Sequence, residues 1–196
     1  MSGGRPVALL AASDKRGLVE LGRGLVDLGW ELVATSGTAA LLRESGLAAA
    51  DIAVTTGLPT LLGGRLKSLH HRVFGGLLRR RGHDADEDEV RRFDFLRIDL
   101  LACNFYPFER ATPAKDRRIE LIDVGGPAML RAAAKNHASV VPLADPDDYD
   151  AVLAALERAA GDPRGVSPSL RQALAARAFA RTAAYDSAIA AWLEAG

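Results

Sequence analysis

Two short stretches without alternation constrain this chain most: the apolar run Val7–Ala12 and "DLLACNFYPF" at 99–108, read as a buried strand ending in an aromatic corner. A strand with one wet face alternates polar and apolar residues. A strand that is apolar throughout is covered on both faces. Helical stripes lie between and around these runs. Leu18, Leu21, Leu25 and Leu28 share one helical face, with Gly29 as a stop. "WELVAT" reads as a second strand, "SGTAALLRESG" as a loop and helix ended by Gly46, and residues 52–54 as a third strand. "VVPL" reads as a late strand. "DPDDYDAVLAALERA" offers Asp145 as N-cap, Pro146 at the first helical position and Asp148 as capping partner. "SPSLRQALAARAFARTAAYDSAIAAWL" begins the same way and sets Leu170, Leu174, Tyr185, Ile189 and Trp192 on one stripe. Alternating strands and helices predict a parallel α/β sheet. The expectation is one α/β domain over residues 1–196 with a helical C-terminal extension.

Some stretches resist this pattern. Residues 57–76, "GLPTLLGGRLKSLHHRVFGG", hold five glycines and no period. A loop of that length is functional or disordered. "RRRGHDADEDEVRR" reads as a solvated helix and its connection, and residues 110–118 as a polar linker.

Lys and Arg number 25, and Asp and Glu number 25, so the formal charge is zero. That removes the electrostatic footprint of a nucleic-acid binder. A charged small substrate stays open, because a pocket needs only a local field. The sole cysteine, Cys103, permits no intramolecular disulfide and fits a reduced, cytoplasmic setting. "PVALLAAS" imitates a signal-peptide core but runs straight into "SDKR", so it is read as the first strand. No run is long enough to span a bilayer.

Three segments suit anions. Ser13, Asp14 and Lys15 lie where the first strand gives way to a helix, and Thr35, Ser36, Gly37 and Thr38 at the second such junction. Ligands bind at the carboxyl ends of strands in open α/β sheets, where helix N-termini offer free N–H groups. Arg65 and Lys67 are two apart and point the same way in extended backbone, fit to clamp a phosphate or to stay solvated. His70 and His71 project apart, with no Cys or carboxylate cluster beside them, so no metal site is read there. Cys103 reads as core, and Tyr106 as an aromatic corner. In "IDVGGPAMLRAAAKNH", Asp123 and two glycines open a helix that Lys135 closes. Asp123 is either an N-cap or a base beside a developing oxyanion.

The segments "SDKRGLVELGRGL", "GTAALLRESGL", "TGLPTLLGGRLKSLHHRVFGG", "NFYPF", "IDVGGPAMLRAAAKNH", "DPDDYDAVLAAL" and "ARTAAYDSAIAAW" follow one another in this order. Together they resemble the IMP cyclohydrolase domain of the bifunctional AICAR transformylase/IMP cyclohydrolase family. The resemblance covers nearly the whole chain; the transformylase half has no counterpart. It implies a doubly wound, mainly parallel sheet like that of methylglyoxal synthase. It implies dehydrative ring closure of formyl-AICAR to IMP in purine biosynthesis, with no cofactor or metal. A homodimer is implied too, for which an exposed apolar C-terminal stripe is suited, and a separate transformylase is a possible partner. By position, the nucleotide contacts are Ser13, Asp14, Lys15, Thr35, Ser36, Gly37, Thr38, Arg65, Lys67, Ser68, Cys103, Asn104, Asp123, Val124 and Gly125. The residues linked to catalysis are Lys67, Tyr106, Asp123 and Lys135. Asp123 is expected to take the amide proton, directly or through Tyr106. Lys67 is expected to meet the oxyanion, and Lys135 to donate or shuttle a proton. Asp123 and Lys135 are twelve positions apart, ~18 Å along a straight helix. Either the chain turns back before Lys135, or one group comes from elsewhere, such as a dimer partner.

The chain departs from the family at three places. "SGGT" becomes "TSGT", placing Ser36 where a glycine is usual. "LHPKVHGG" becomes "LHHRVFGG", changing His71 and Phe74. The chain also stops where a transformylase domain would begin. The rival readings are a paralogue closing a ring on another azole carboxamide such as a pyrazole C-nucleoside, a nucleotide sensor, a scaffold for a transformylase, and methylglyoxal synthase activity.

Overall fold

The computed structural model describes residues 4–57, 61, 62, 66, 68–106, 108 and 118–195. Among the described residues, five parallel strands form one sheet in the order β3-β2-β1-β4-β5. They are β1 (Val7–Ala12), β2 (Glu31–Ala34), β3 (Ala49–Asp51), β4 (Ile98–Asn104) and β5 (Val141–Leu143). The helices are α1 (Leu18–Asp27), α2 (Ser36–Glu44), α3 (Ile52–Thr56), α4 (His71–Leu78), α5 (Asp84–Arg92), α6 (Gly125–Lys135), α7 (Tyr149–Arg158) and α8 (Pro168–Glu194).

The unbroken apolar runs have the predicted cause. Ala8, Leu10 and Ala12 of β1, with Leu100 and Ala102 of β4, pack under α1, α2 and α7. Leu9 of β1, with Ile98, Leu101 and Cys103 of β4, packs under α3, α4, α6 and α8. Every residue of β4 is buried. Successive side chains point to opposite faces, so both faces are apolar because both are covered. Helices on both sides make the sheet doubly wound.

Some local expectations change. Residues 52–54 are not a strand but the first turn of α3, and the third strand is the preceding Ala49–Asp51. Asp51 ends that strand and caps the helix, its carboxylate accepting the Ala53 N–H at 2.9 Å. The last third of the 57–76 segment is helical, not loop. His70 caps α4 through Nδ1, which accepts the Arg72 N–H. His71 takes the first helical position, where the family's proline would also fit. Gly75 and Gly76 hide this helix from sequence patterning, yet contact requires them. A Cβ on Gly75 would strike the Phe95 ring, and one on Gly76 the Leu96 carbonyl.

The basic-acidic segment is only partly the solvated helix expected. Arg79 is 7% exposed and Asp99 6% exposed. Asp99 accepts from Arg79 at 2.9 Å, from Arg81 and from the Val7 N–H at 3.1 Å. Glu87 joins Arg79 to Arg97. This network fastens α5 and the starts of β1 and β4 at the end of the sheet away from the strand carboxyl termini. Asp145 caps a 3-10 turn, Pro146–Asp148, ahead of α7, and Asp148 pairs with Arg177 of α8 instead of completing the cap.

The C-terminal stripe does not form an exposed face. Leu174 and Tyr185 are buried, and Ile189 and Trp192 pack against the same chain. Helix α8 lies along α6 and β5 as a wall of the fold. No helix among the described residues is long and apolar enough to cross a membrane.

Candidate functional site

Strand β1 feeds helices on one face of the sheet and β4 feeds α6 on the other. A crevice therefore opens between their carboxyl ends. It is a cleft of about 1070 Å³. Its lining includes Ser13, Thr35, Ser68, Asn104, Tyr106 and Asp123, and Tyr185 reaches in from α8. A smaller cleft of about 480 Å³ shares Ser13, Asn104 and Tyr106 and adds Asp14, Asp145 and Arg181.

The loop after β1 is held by Asn104, the last residue of β4. Its Oδ1 accepts the N–H groups of Ser13 at 2.8 Å and Asp14 at 2.7 Å, and its Nδ2 donates to the Asp14 carbonyl at 3.1 Å. The Tyr149 phenol lies near the same side chain, and burial pushes its pKa well up. Asn104 thus serves as a clamp on the 13–14 turn, leaving the Ser13 hydroxyl exposed to the cleft. The Asp14 carboxylate is engaged by Arg16 at 2.8 Å, which holds its pKa below the usual carboxylate range.

Lys15 turns inward. Its ammonium donates to the Ala12 carbonyl and to Thr38 Oγ1, the latter at 2.6 Å, and burial lowers its pKa. Thr38 is 1% exposed, so its hydroxyl ties α2 to β1. Thr35 caps the backbone entry to α2 and lines the cleft. Ser36 begins the helix without positive φ, so the serine that replaces the usual glycine causes no backbone strain. A Cβ on Gly37 would meet nothing within 4 Å, so this terminus faces open space.

The turn into α6 shows what its two glycines do. Asp123 Oδ1 accepts the Gly126 N–H at 2.9 Å. A Cβ on Gly126 would sit 2.3 Å from Asp123 Oδ2, and one on Gly125 the same distance from Ser68 Oγ. The glycines make room for a carboxylate and a hydroxyl at one helix N-terminus. The Asp123 N–H donates to Tyr185 Oη at 2.8 Å. The Tyr185 ring is wedged against Phe105 and Phe108, and burial pushes its phenol up.

Of the residues expected at the site, Ser13, Thr35, Ser68, Asn104, Tyr106, Asp123, Val124 and Gly125 meet in the larger cleft, with Asp14 in its neighbour. Arg65 and Lys67 lie outside the described residues. Cys103 does not reach the cleft by its side chain: it is 1% exposed, its thiol faces the Gly126 carbonyl at 3.5 Å, and burial drives its pKa far up. Lys135 is exposed at the far end of α6, about 15 Å along the axis from Gly125. Because α6 is one continuous helix, the chain does not turn back to bring Lys135 to Asp123. Sequence reasoning missed Tyr185 at the cleft. The available signal was a phenol on an otherwise aliphatic and indole stripe. Among the described residues the larger cleft is lined by two carboxylates, Glu120 and Asp123, and no lysine or arginine.

Residues 17–128 match the MGS-like domain family, and residues 133–196 match the AICARFT/IMPCHase bienzyme family. The bifunctional purine biosynthesis protein PurH of Synechococcus sp. (strain CC9311) is 48% identical over 194 residues, covering 96% of this chain and 36% of the relative. PurH of Ruegeria pomeroyi is 50% identical over 190 residues, covering 95% of this chain and 35% of the relative. The chain thus spans about a third of the length of these curated relatives. A solved structure titled "Crystal structure of ForH" superimposes with a TM-score of 0.85 at 46% identity, covering 96% of this chain and 98% of that one. The chain belongs to the MGS-like domain family and continues, over its last third, as the AICARFT/IMPCHase bienzyme family does.

Proposed function

We propose that this chain is a cyclohydrolase that closes a six-membered ring on a formylated azole carboxamide nucleotide, formyl-AICAR giving IMP. The observation that carries this reading is the turn at Asp123–Gly126, which holds a carboxylate in the lining of a nucleotide-sized cleft beside Ser68. The carboxamide nitrogen attacks the formyl carbon, and a C–N bond forms as its proton passes to a base. The formyl oxygen becomes a hydroxyl and leaves as water with a second proton. An amide nitrogen is a weak nucleophile, so the base matters most, and Asp123 is assigned that role, with Tyr106 at the cleft mouth relaying the proton. The substrate carries both reacting groups on one ring, so the protein needs only to hold the reactive rotamer and move protons. The nucleotide phosphate is assigned to the N-terminus of α2 and the turn at Ser13, with Arg65 and Lys67 as its counter-charges. Lys67 is also assigned the stabilisation of the oxyanion.

Lys135 joins this scheme only from a second copy, which makes a homodimer part of the proposal. A cytoplasmic location and a separate transformylase supplying the formylated substrate complete it. One observation favours a second reading. The ForH structure matches along nearly its whole chain, whereas the PurH relatives match over about a third. The second reading is a paralogue of the cyclohydrolase, like the ForH neighbour in fold, acting on a different azole carboxamide.

The test is to mix the purified chain with formyl-AICAR and follow the ultraviolet spectrum of IMP against spontaneous closure. Acceleration of at least about a hundredfold supports the reading. Tight IMP binding without acceleration would replace it with a nucleotide sensor. Neither binding nor turnover, with closure of a pyrazole analogue, would establish the paralogue.

A further inference from the structure

The Asp123 side chain is turned back onto its own helix, so its aim depends on how its backbone is held. The preceding turn, Ile119–Leu121, is exposed and local. Among the described residues, the hydrogen bond that ties Asp123 to a distant part of the chain is its N–H to Tyr185 Oη, 62 positions later on α8. The Tyr185 ring cannot drift. It is 6% exposed, lies 4.6 Å from the Phe105 ring, and meets Phe108 edge-on at 6.4 Å. A phenylalanine would fill the same space and make the same stacks. The hydroxyl therefore adds little to packing. Its described partner is the backbone of the proposed base, and it lines the same cleft. Having accepted from Asp123, the oxygen keeps its own hydrogen to offer into the cleft.

We propose that Tyr185 is a positioning residue: by fixing the Asp123 amide it sets the direction of the carboxylate that takes the carboxamide proton. Helix α8 is thereby a working wall of the site. The inference rests on the ring-closure reading of the cleft. Burial also raises the Tyr185 pKa, so its hydroxyl stays protonated through the neutral range.

The test is Tyr185→Phe, which keeps the ring and removes one oxygen. Three measurements are made on the full chain: ring-closure kinetics, the thermal midpoint, and amide hydrogen exchange at Asp123. The expected result is a kcat at least tenfold lower with KM within about twofold. The Asp123 amide should exchange at least tenfold faster, and the thermal midpoint should move by only a few degrees. An unchanged kcat overturns the proposal. So does a fall in kcat and a rise in KM that merely follow a lowered midpoint, since that is a packing effect. A wild-type chain no faster than spontaneous closure removes the ring-closure reading instead. In that event amide exchange decides the anchor: faster exchange in Tyr185→Phe keeps it, equal exchange removes it.

Discussion

Gly126→Ala separates the geometry of the proposed base from its chemistry, because it removes no functional group. The new Cβ would lie 2.3 Å from Asp123 Oδ2 and 3.1 Å from Cγ. An ordinary carbon–oxygen contact is about 3.3 Å, so the carboxylate must retreat by about 1 Å. The side chain is short and exposed on its outer side, so it swings away before the backbone moves. That swing breaks the bond to the Gly126 N–H, a capping loss of about 1 kcal/mol. Alanine in place of glycine returns up to about 1 kcal/mol of helix propensity. The two nearly cancel, and in a chain of this size each kcal/mol is worth only about 2–4 °C. Activity has no such offset. Misplacing a reacting group by about 1 Å costs on the order of 10²-fold, or about 2.7 kcal/mol of transition-state stabilisation. Gly126→Ala is therefore expected to turn over about a hundredfold more slowly, with a thermal midpoint within about 4 °C of wild type. The assays are the ultraviolet ring-closure rate at saturating substrate and thermal unfolding by circular dichroism. A wild-type kcat refutes the reasoning. So does a collapse of the midpoint by 10 °C or more, since it would mean the clash is absorbed by the backbone.

Two further outcomes are expected. The Cys103 thiol, buried and driven up in pKa, should fail to react with Ellman's reagent at pH 8 until denaturant is added; stoichiometric labelling of the native chain within minutes would contradict its place in the core. His70 caps α4 with a neutral Nδ1, and burial, then the charges of His71 and Arg72, hold its pKa below the ordinary value of 6.5. Protonation is disfavoured in the folded state, so the cap's contribution is present above about pH 6.5 and is lost as the pH falls below it. Between pH 7 and 5.5 the urea midpoint should drop more for wild type than for His70→Asn, which caps without titrating. Equal drops would refute the assignment.

What could be read from the residues follows from which forces are local. Strand β1 was legible to the residue because burial on both faces imposes an unbroken apolar run, and that pattern needs no partner to be seen. Helix α1 was legible for a similar reason, since its stripe and Gly29 are both local signals. Strand β3 was missed because it is three residues of modest propensity, and the apolar triplet after it drew the assignment one element too late. Helix α4 was hidden by Gly75 and Gly76, which are needed by Phe95 and Leu96, some twenty positions away. At the site, the helix arithmetic that set Asp123 and Lys135 apart holds, since α6 runs unbroken between them. The clamp by Asn104 and the bond from Asp123 to Tyr185 were not legible. Each joins groups more than sixty positions apart, a distance that no periodicity encodes.

Helix α8 is 27 residues long and begins more than sixty residues after β4 ends. A ribosome adds residues at about 5–20 per second, so both crevice-forming strands emerge several seconds before Tyr185 does. During that interval the nascent sheet has its Ser13 turn and its Asp123 turn, but nothing bridges from the carboxy-terminal helix to hold the second. The proposed anchoring would therefore arrive as a late, single docking event rather than growing with chain length, and any fragment that ends before Tyr185 would lack the bond that ties the Asp123 backbone to this helix.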